Sequence, residues 1–189
     1  QGTEIWGDAN CSNGFPPAIK GTPVTCADPA VDDKLLAGDV ITLVNVVPVN
    51  PRGSAFFYDG EDKIGVSFPA NVTRFAFPDS PGSLLAGGTE VPATDLWGTK
   101  FVSPVGENVA TGTGAFDLTR LFITAKSGGA TVNVDANADG DLSDPDDLNG
   151  VAILEGVTTV VDNVRSGATV TSNNPVQVHL AIGDPGSTY

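Results

Sequence analysis

Short apolar runs recur along the chain from residue 38 onward, and most of them are followed within two residues by a glycine, a proline or an asparagine. Runs of about four to eight residues, rich in β-branched and aromatic side chains and bounded by turn residues, are typical of strands. About ten runs have this character: 40–47, 55–58, 63–68, 72–77, 116–125, 130–134, 151–154, 158–161, 168–171 and 176–182. No stretch shows a convincing 3.6-residue helical period. The pattern predicts an all-β fold, an antiparallel β-sandwich of the jelly-roll or immunoglobulin-like type.

Turn residues between the later runs predict where the chain reverses direction. Two glycines at 128–129 follow a serine and separate two of the longer runs, which indicates a tight hairpin. An Asn-Asn-Pro sequence at 173–175 separates the last two runs, and these residue types favour turns. We therefore expect the last two runs to form two distinct strands.

Residues 1–37 differ from the rest, since they contain four prolines, both cysteines and no sustained periodicity. We predict two parts, an irregular N-terminal arm at 1–37 and a β-sandwich domain at 38–189. Cys11 and Cys26 are expected to form a disulfide in an oxidising compartment. It would close a loop of about 15 residues and stabilise the fold by roughly 3 kcal/mol in the chain-entropy model. Two unrelated buried thiols are the alternative.

The chain is strongly acidic, with 23 Asp and Glu against 9 Lys and Arg and a formal net charge of −14. A field of this sign repels phosphate backbones and anionic lipid headgroups, so nucleic acid and membrane surfaces are poor candidate partners. No apolar run approaches the roughly 20 residues of a membrane-spanning helix. The composition favours cations as ligands and argues against membrane insertion.

Three features favour export from the cell. The chain begins at Gln1 and contains no methionine, the pattern expected of a mature product whose leader has been removed. Asn10 and Asn71 fit the N-glycosylation sequon. The cysteine pair suits an oxidising compartment. Together they predict a secreted, extracellular or cell-surface glycoprotein.

The most informative segment is the acidic loop at 135–147, which matches the D-x-[DN]-x-[DN]-G beginning of a calcium-binding loop. Alternate residues of such a loop turn their oxygens inward, and Gly140 permits the sharp bend. The predicted Ca²⁺ ligands are the side chains of Asp135, Asn137 and Asp139, the backbone carbonyl of Asp141, and a closing carboxylate at Asp146, for which Asp144 or Asp147 could substitute.

This acidic loop is not expected to be an EF-hand, because strand-like runs precede and follow it. Six carboxylates within thirteen residues repel one another unless a cation lies among them. All the ligands come from one local loop, so we expect the ion to have a structural role. The alternative is a solvated acidic turn without a bound ion.

Residues suited to catalysis are scarce. His179 is the only histidine, so a Ser-His-Asp or Cys-His arrangement would depend on it entirely. The apolar residues of its run share the other strand face, which predicts a solvent-facing side chain for His179. A glycoside hydrolase needs only two carboxylates and remains an alternative. The prediction is that the chain is not an enzyme.

Three segments resemble the IgGFc-binding-protein N-terminal-like domains of large secreted proteins. They are residues 96–106, 121–134 without the central turn, and 167–178. The resemblance extends over roughly 38–183 and is carried by short structural motifs such as Leu96-Trp97-Gly98-Thr99. It implies an extracellular surface or adhesion module and transfers no catalytic residue. The N-terminal arm and the calcium loop are additional to the family's pattern.

The sequence thus predicts an extracellular, calcium-stabilised structural or adhesive module, such as the subunit of a cell-surface layer or filament. The arm at 1–37 would dock on a neighbouring subunit, for instance by adding a strand to an open sheet edge. The first alternative is a calcium-dependent carbohydrate-binding module that uses exposed aromatic side chains, with Trp6 a better candidate than Trp97. Expected partners are therefore other protein subunits or surface glycans.

Overall fold

The computed structural model describes residues 3–8, 18–23, 63–66, 70–76, 87–112, 114–155 and 157–184. The chain divides into two compact units, Gln1–Asn71 and Val72–Tyr189. The predicted runs at 40–47 and 55–58, and the predicted domain boundary between residues 37 and 38, lie outside the described residues.

The first unit contains a three-stranded antiparallel sheet in the order β2-β1-β3. Its strands are β1 (Thr3–Asp8), β2 (Ala18–Pro23) and β3 (Lys63–Val66). The expectation of an irregular arm is therefore wrong for β1 and β2. Strand pairing makes these segments regular. β1 forms backbone hydrogen bonds with β2 on one side and with β3, about sixty residues away in sequence, on the other. Local periodicity does not report such distant pairing.

Several predicted features of the first unit concern residues that the structure does not describe. Cys11 and Cys26 are among them, so the disulfide stays a prediction, as does glycosylation at Asn10. Asn71, the other sequon asparagine, is described and exposed.

The second unit contains eight described strands and a short 3-10 helix. The strands are β4 (Thr73–Ala76), β5 (Gly87–Glu90), β6 (Gly98–Val102), β7 (Leu118–Ala125), β8 (Ala130–Asp135), β9 (Leu148–Ile153), β10 (Thr158–Val161) and β11 (Thr169–Gly183). β4 and β5 form a two-stranded antiparallel pair. Within the described ranges the only helix is Thr94–Leu96, too short to span a membrane.

The other six strands form one curled antiparallel sheet, in the order β10-β7-β11-β8-β9 with β6 also paired to β11. The long β11 joins its two halves. Residues 169–172 pair with β8, and 169–171 also pair with β6, whereas 176–183 pair with β7. The predicted turn at 173–175 is wrong, because the chain continues through it as one strand. The Asn-Asn-Pro sequence instead coincides with a register shift, between Thr171 and Val176, in the pairing of β11 with β6.

Six strands of the second unit thus form one curled sheet, and the described residues do not form a closed sandwich of ten strands. The all-β, antiparallel class is confirmed. The difference arises because β11 takes part in both halves, so one continuous sheet bends around the core where two separate sheets were expected to stack.

The core lies on the inner face of this curl and follows the two-residue period of strands. Alternate residues of β7 and β8 are buried, and Ile123, Val132 and Val134 are fully so. Burying a side chain of this size contributes roughly 1.5–3 kcal/mol. The core extends past the end of β8 to Ala136 and reaches Val164 in the loop before β11. The acidic loop therefore begins directly at the buried core of the second unit.

Candidate metal-binding loop and the adjoining cleft

The acidic loop connects β8 to β9 and is fastened at its base. Asp135 ends β8 and is 8% exposed, and Ala136 is fully buried. The backbone N–H of Arg165 donates to the carbonyl oxygen of Ala136 at 2.8 Å. The backbone N–H of Ala136 donates to Oδ1 of Asp147 at 2.8 Å, which ties the two ends of the loop together.

Side-chain oxygens of the loop organise its backbone. Asp135 accepts hydrogen bonds from the backbone N–H of Asp139 at 3.2 Å and of Gly140 at 3.0 Å. Gly140 has φ of 94°, a left-handed conformation in which glycine is favoured, as the sequence motif required. The pattern then repeats two residues apart, because Asp139 Oδ1 accepts from Asp141 N and Asp141 Oδ1 accepts from Ser143 N. The motif thus produces the compact turn expected of it.

Three of the predicted ligands come together at the tip of the loop. One carboxylate oxygen from each of Asp139, Asp141 and Asp144 lies within 4.8 Å of the other two. We call these three residues the aspartate triad. Two oxygens on opposite sides of one Ca²⁺ at about 2.4 Å would also be about 4.8 Å apart, so this spacing suits a single hard cation. Asn137 Nδ2 donates to carboxylate oxygens of Asp139 and Asp144 and so belongs to the same cluster.

The triad differs from the predicted ligand set in four ways. Asp135 and Asn137, both predicted as ligands, lie outside it, and Asp135 instead accepts hydrogen bonds from the loop backbone. Asp141 brings its carboxylate to the cluster, although the prediction used its backbone carbonyl. Asp144, predicted only as a substitute, takes part. Asp146 and Asp147 do not, since Asp147 accepts from the backbone N–H of Ala136 and of Asp144, and Asp146 faces an adjoining cleft. A strand follows the loop, so the loop lacks the exiting helix of an EF-hand.

The triad is electrostatically strained. Partial burial and the negative charges of Asp139 and Asp141 raise the pKa of Asp144 above its usual range. Hydrogen bonds from the side chain and backbone of Ser143 lower the pKa of Asp141. A divalent cation among these carboxylates would relieve their repulsion.

A cleft of about 510 Å³ lies against the same loop. Its walls come from three loops distant in sequence. The acidic loop supplies Asn137 and residues 144–147, the loop between β6 and β7 supplies Glu107 and Asn108, and the loop between β10 and β11 supplies Asn163 and Arg165.

Backbone contacts hold these three loops in place. Glu107 N donates to Val164 O at 2.9 Å, and Ser166 N donates to Oδ1 of Asn108 at 2.8 Å. Gly106 packs so closely on the neighbouring loop that a Cβ there would lie 2.2 Å from the backbone of Arg165. Sequence reasoning did not identify Glu107, Asn108, Asn163 or Arg165, because each is an ordinary polar loop residue in an unremarkable local sequence.

The single histidine lies elsewhere. His179 on β11 is half-buried, where a solvent-facing side chain was expected, and its ring packs on Phe122 with centroids 6.5 Å apart. Burial and, to a smaller extent, the positive charge of Arg74 lower the pKa of His179. Trp97 is partly exposed and donates its indole N–H to the carbonyl oxygen of Pro92 at 3.1 Å.

Fold and site together define a β-rich protein with a cluster of carboxylates able to bind a metal ion. Comparison with family models, with curated proteins and with solved structures found no match to the chain.

Proposed function

We propose that this protein is an extracellular structural or adhesive module whose acidic loop is stabilised by Ca²⁺. The observation that carries the proposal is the aspartate triad, three carboxylate oxygens within 4.8 Å of one another on a loop anchored to the core. Carboxylates are the ligands that Ca²⁺ prefers, and Ca²⁺ accepts six to eight oxygens in flexible geometry. Asn137, backbone carbonyls and water would supply the remaining ligands.

A structural role for the ion follows from the position of its ligands. All three carboxylates belong to one stretch of six residues, 139–144, between two strands of the same sheet. An ion there would link parts of one loop and hold it against the core, and would raise stability by binding only the folded form. The acidic net charge of −14 would attract the cation over a longer range.

The extracellular setting and the assembly into a surface layer or filament are further parts of the proposal. Support for them comes from Cys11 and Cys26, which are predicted to form a disulfide, from the exposed sequon residue Asn71, and from the resemblance to secreted surface domains. In such an assembly the N-terminal segment would contact a neighbouring subunit through a sheet edge.

Calcium titration by isothermal calorimetry tests the proposal. We expect one Ca²⁺ per chain and an affinity reduced roughly tenfold or more by Asp139→Asn or Asp144→Asn, because the number of ligand charges sets the affinity of such sites. Asp95→Asn is the matched control, since Asp95 is exposed and lies outside the acidic loop. Light scattering of the same samples, with calcium and with chelator, reports assembly.

Absence of heat at millimolar Ca²⁺, together with a Tm that is the same in calcium and in chelator, would exclude the calcium site. Equal affinities in Asp139→Asn and Asp95→Asn would place the ion elsewhere. A strict monomer with and without calcium would remove the filament from the proposal and leave the calcium-stabilised module.

A further inference from the structure

The cleft beside the acidic loop presents hydrogen-bonding groups without partners in the described part of the chain. The guanidinium of Arg165 and the carboxylate of Asp146 line the cleft, and neither makes a side-chain hydrogen bond or ion pair with a described residue. Asn108 accepts from Ser166 N through Oδ1, which leaves its NH₂ group as a donor. Glu107 accepts from Thr119 N through Oε1 only.

This cleft therefore offers donors and acceptors side by side. Arg165 and the Asn108 amide can only donate, whereas Asp146 and Glu107 Oε2 can only accept. An anionic ligand would be repelled by the four carboxylates that line the cleft, and a cationic ligand would compete with the proposed ion for the same carboxylates. A hydroxyl group both donates and accepts, so a neutral ligand with several hydroxyls matches both sets.

The triad and the cleft share one residue. Asp144 belongs to the triad and also lines the cleft. Asn137, which donates a hydrogen bond to Asp144, lines the cleft as well. Three carboxylates leave coordination positions open on an ion that accepts six to eight oxygens. A hydroxyl in the cleft could occupy one of them. The volume of about 510 Å³ falls within the roughly 300–1,000 Å³ typical of small-ligand sites.

We propose that this cleft binds a neutral, hydroxyl-rich glycan and that the cation of the aspartate triad is required for that binding. The inference rests on the proposed calcium site and adds the chemical class of the ligand. Vicinal hydroxyls of a sugar would bridge the cation on one side and Arg165, Asn108 and Asp146 on the other.

Saturation-transfer NMR with methyl α-mannoside, methyl β-galactoside and methyl α-fucoside tests this. We expect transfer from at least one of these sugars in calcium and its loss in chelator. Arg165→Ala and Asp146→Asn should weaken binding roughly tenfold or more, because each removes a charge-assisted hydrogen bond. Both variants should keep the calcium affinity of the parent protein, since neither residue belongs to the triad. Lys100→Ala is the matched control, an exposed cation outside the cleft.

The outcomes separate this inference from the function on which it rests. Calcium binding without transfer from any of the three sugars would overturn the glycan site and leave the calcium-stabilised module intact. Failure of calcium itself to bind would overturn both. Sugar binding that is equal in Arg165→Ala, Asp146→Asn and Lys100→Ala would also overturn the inference, because the sugar would then bind outside the cleft.

Discussion

Two connections leave the ends of strand β8, and they are built on different principles. The connection from β7 is a four-residue turn, 126–129, closed by a backbone hydrogen bond from Gly129 N to Lys126 O at 2.9 Å. The connection to β9 is the acidic loop, in which aspartate side chains accept most of the hydrogen bonds from the loop backbone. The first turn is shaped by glycine conformation, and the second by carboxylates.

The difference has an energetic consequence. The glycine turn contains a single charged residue, Lys126, so no repulsion between like charges opposes its geometry. In the acidic loop the carboxylates that shape the backbone also repel one another, and burial together with the negative charges of Asp139 and Asp141 raises the pKa of Asp144. We therefore expect the stability of one end of β8 not to depend on ions and the stability of the other end to depend on a bound cation.

Calcium removal should therefore produce the largest effect and act at one end of β8 only. At a free Ca²⁺ concentration one hundred times the Kd, binding stabilises the fold by about 2.7 kcal/mol. For a chain of this size that corresponds to a Tm lower by roughly 5–10 °C in chelator, measured by calorimetry. Hydrogen exchange should then rise at 137–147 and stay unchanged at 126–129. Equal exchange increases at both ends would contradict the comparison.

Substituting the glycine turn should cost somewhat less and be insensitive to calcium. Gly129 has φ of 68°, and a Cβ there would lie 2.8 Å from the carbonyl oxygen of Ile153. We expect Gly129→Ala to lower the free energy of unfolding by roughly 2 kcal/mol, because left-handed strain alone costs about 1–2 kcal/mol and the close contact adds to it. Urea unfolding measures this.

Two other glycines serve as controls for that substitution. Gly128 and Gly140 also have positive φ, of 92° and 94°, but a Cβ at either meets nothing within 4 Å. Gly128→Ala and Gly140→Ala should therefore show the strain cost without the contact cost. If Gly129→Ala were no more destabilising than these two, the close approach to Ile153 would not contribute to the loss of unfolding free energy.

The acidic loop also shows how far sequence reasoning reaches. The motif located the loop and its glycine because both depend on neighbours two to five residues apart. The predicted closing carboxylate, Asp146, lies outside the triad, since its spacing is that of a loop followed by a helix, and here β9 begins at Leu148. The cleft residues Glu107 and Arg165 were missed, because only the folded sheet brings their loops together.

Strand β11 gives the corresponding lesson for the fold. Strands β7 to β10 were predicted near their observed positions, and β7 and β8 bury a regular face. The Asn-Asn-Pro sequence at 173–175 was misread as a turn because its side chains bond to another part of the chain. Asn173 Oδ1 accepts from Thr131 N at 2.7 Å, and Asn174 Nδ2 donates to Gly129 O at 2.9 Å. Residues that usually close their own turn here support the glycine turn next to β8.

That support predicts the smallest effect. Asn173→Ala removes the acceptor of the Thr131 N–H, an exposed bond that water can partly replace, so we expect a loss of about 0.5–1 kcal/mol in urea unfolding. The loss should be the same in calcium and in chelator, because the bond lies at the glycine end of β8. Asn149→Ala is the matched control, an exposed asparagine whose side chain makes no hydrogen bond with the described residues. A loss that appeared only in chelator would show that the two ends of β8 are coupled, and the ion would then influence the whole strand.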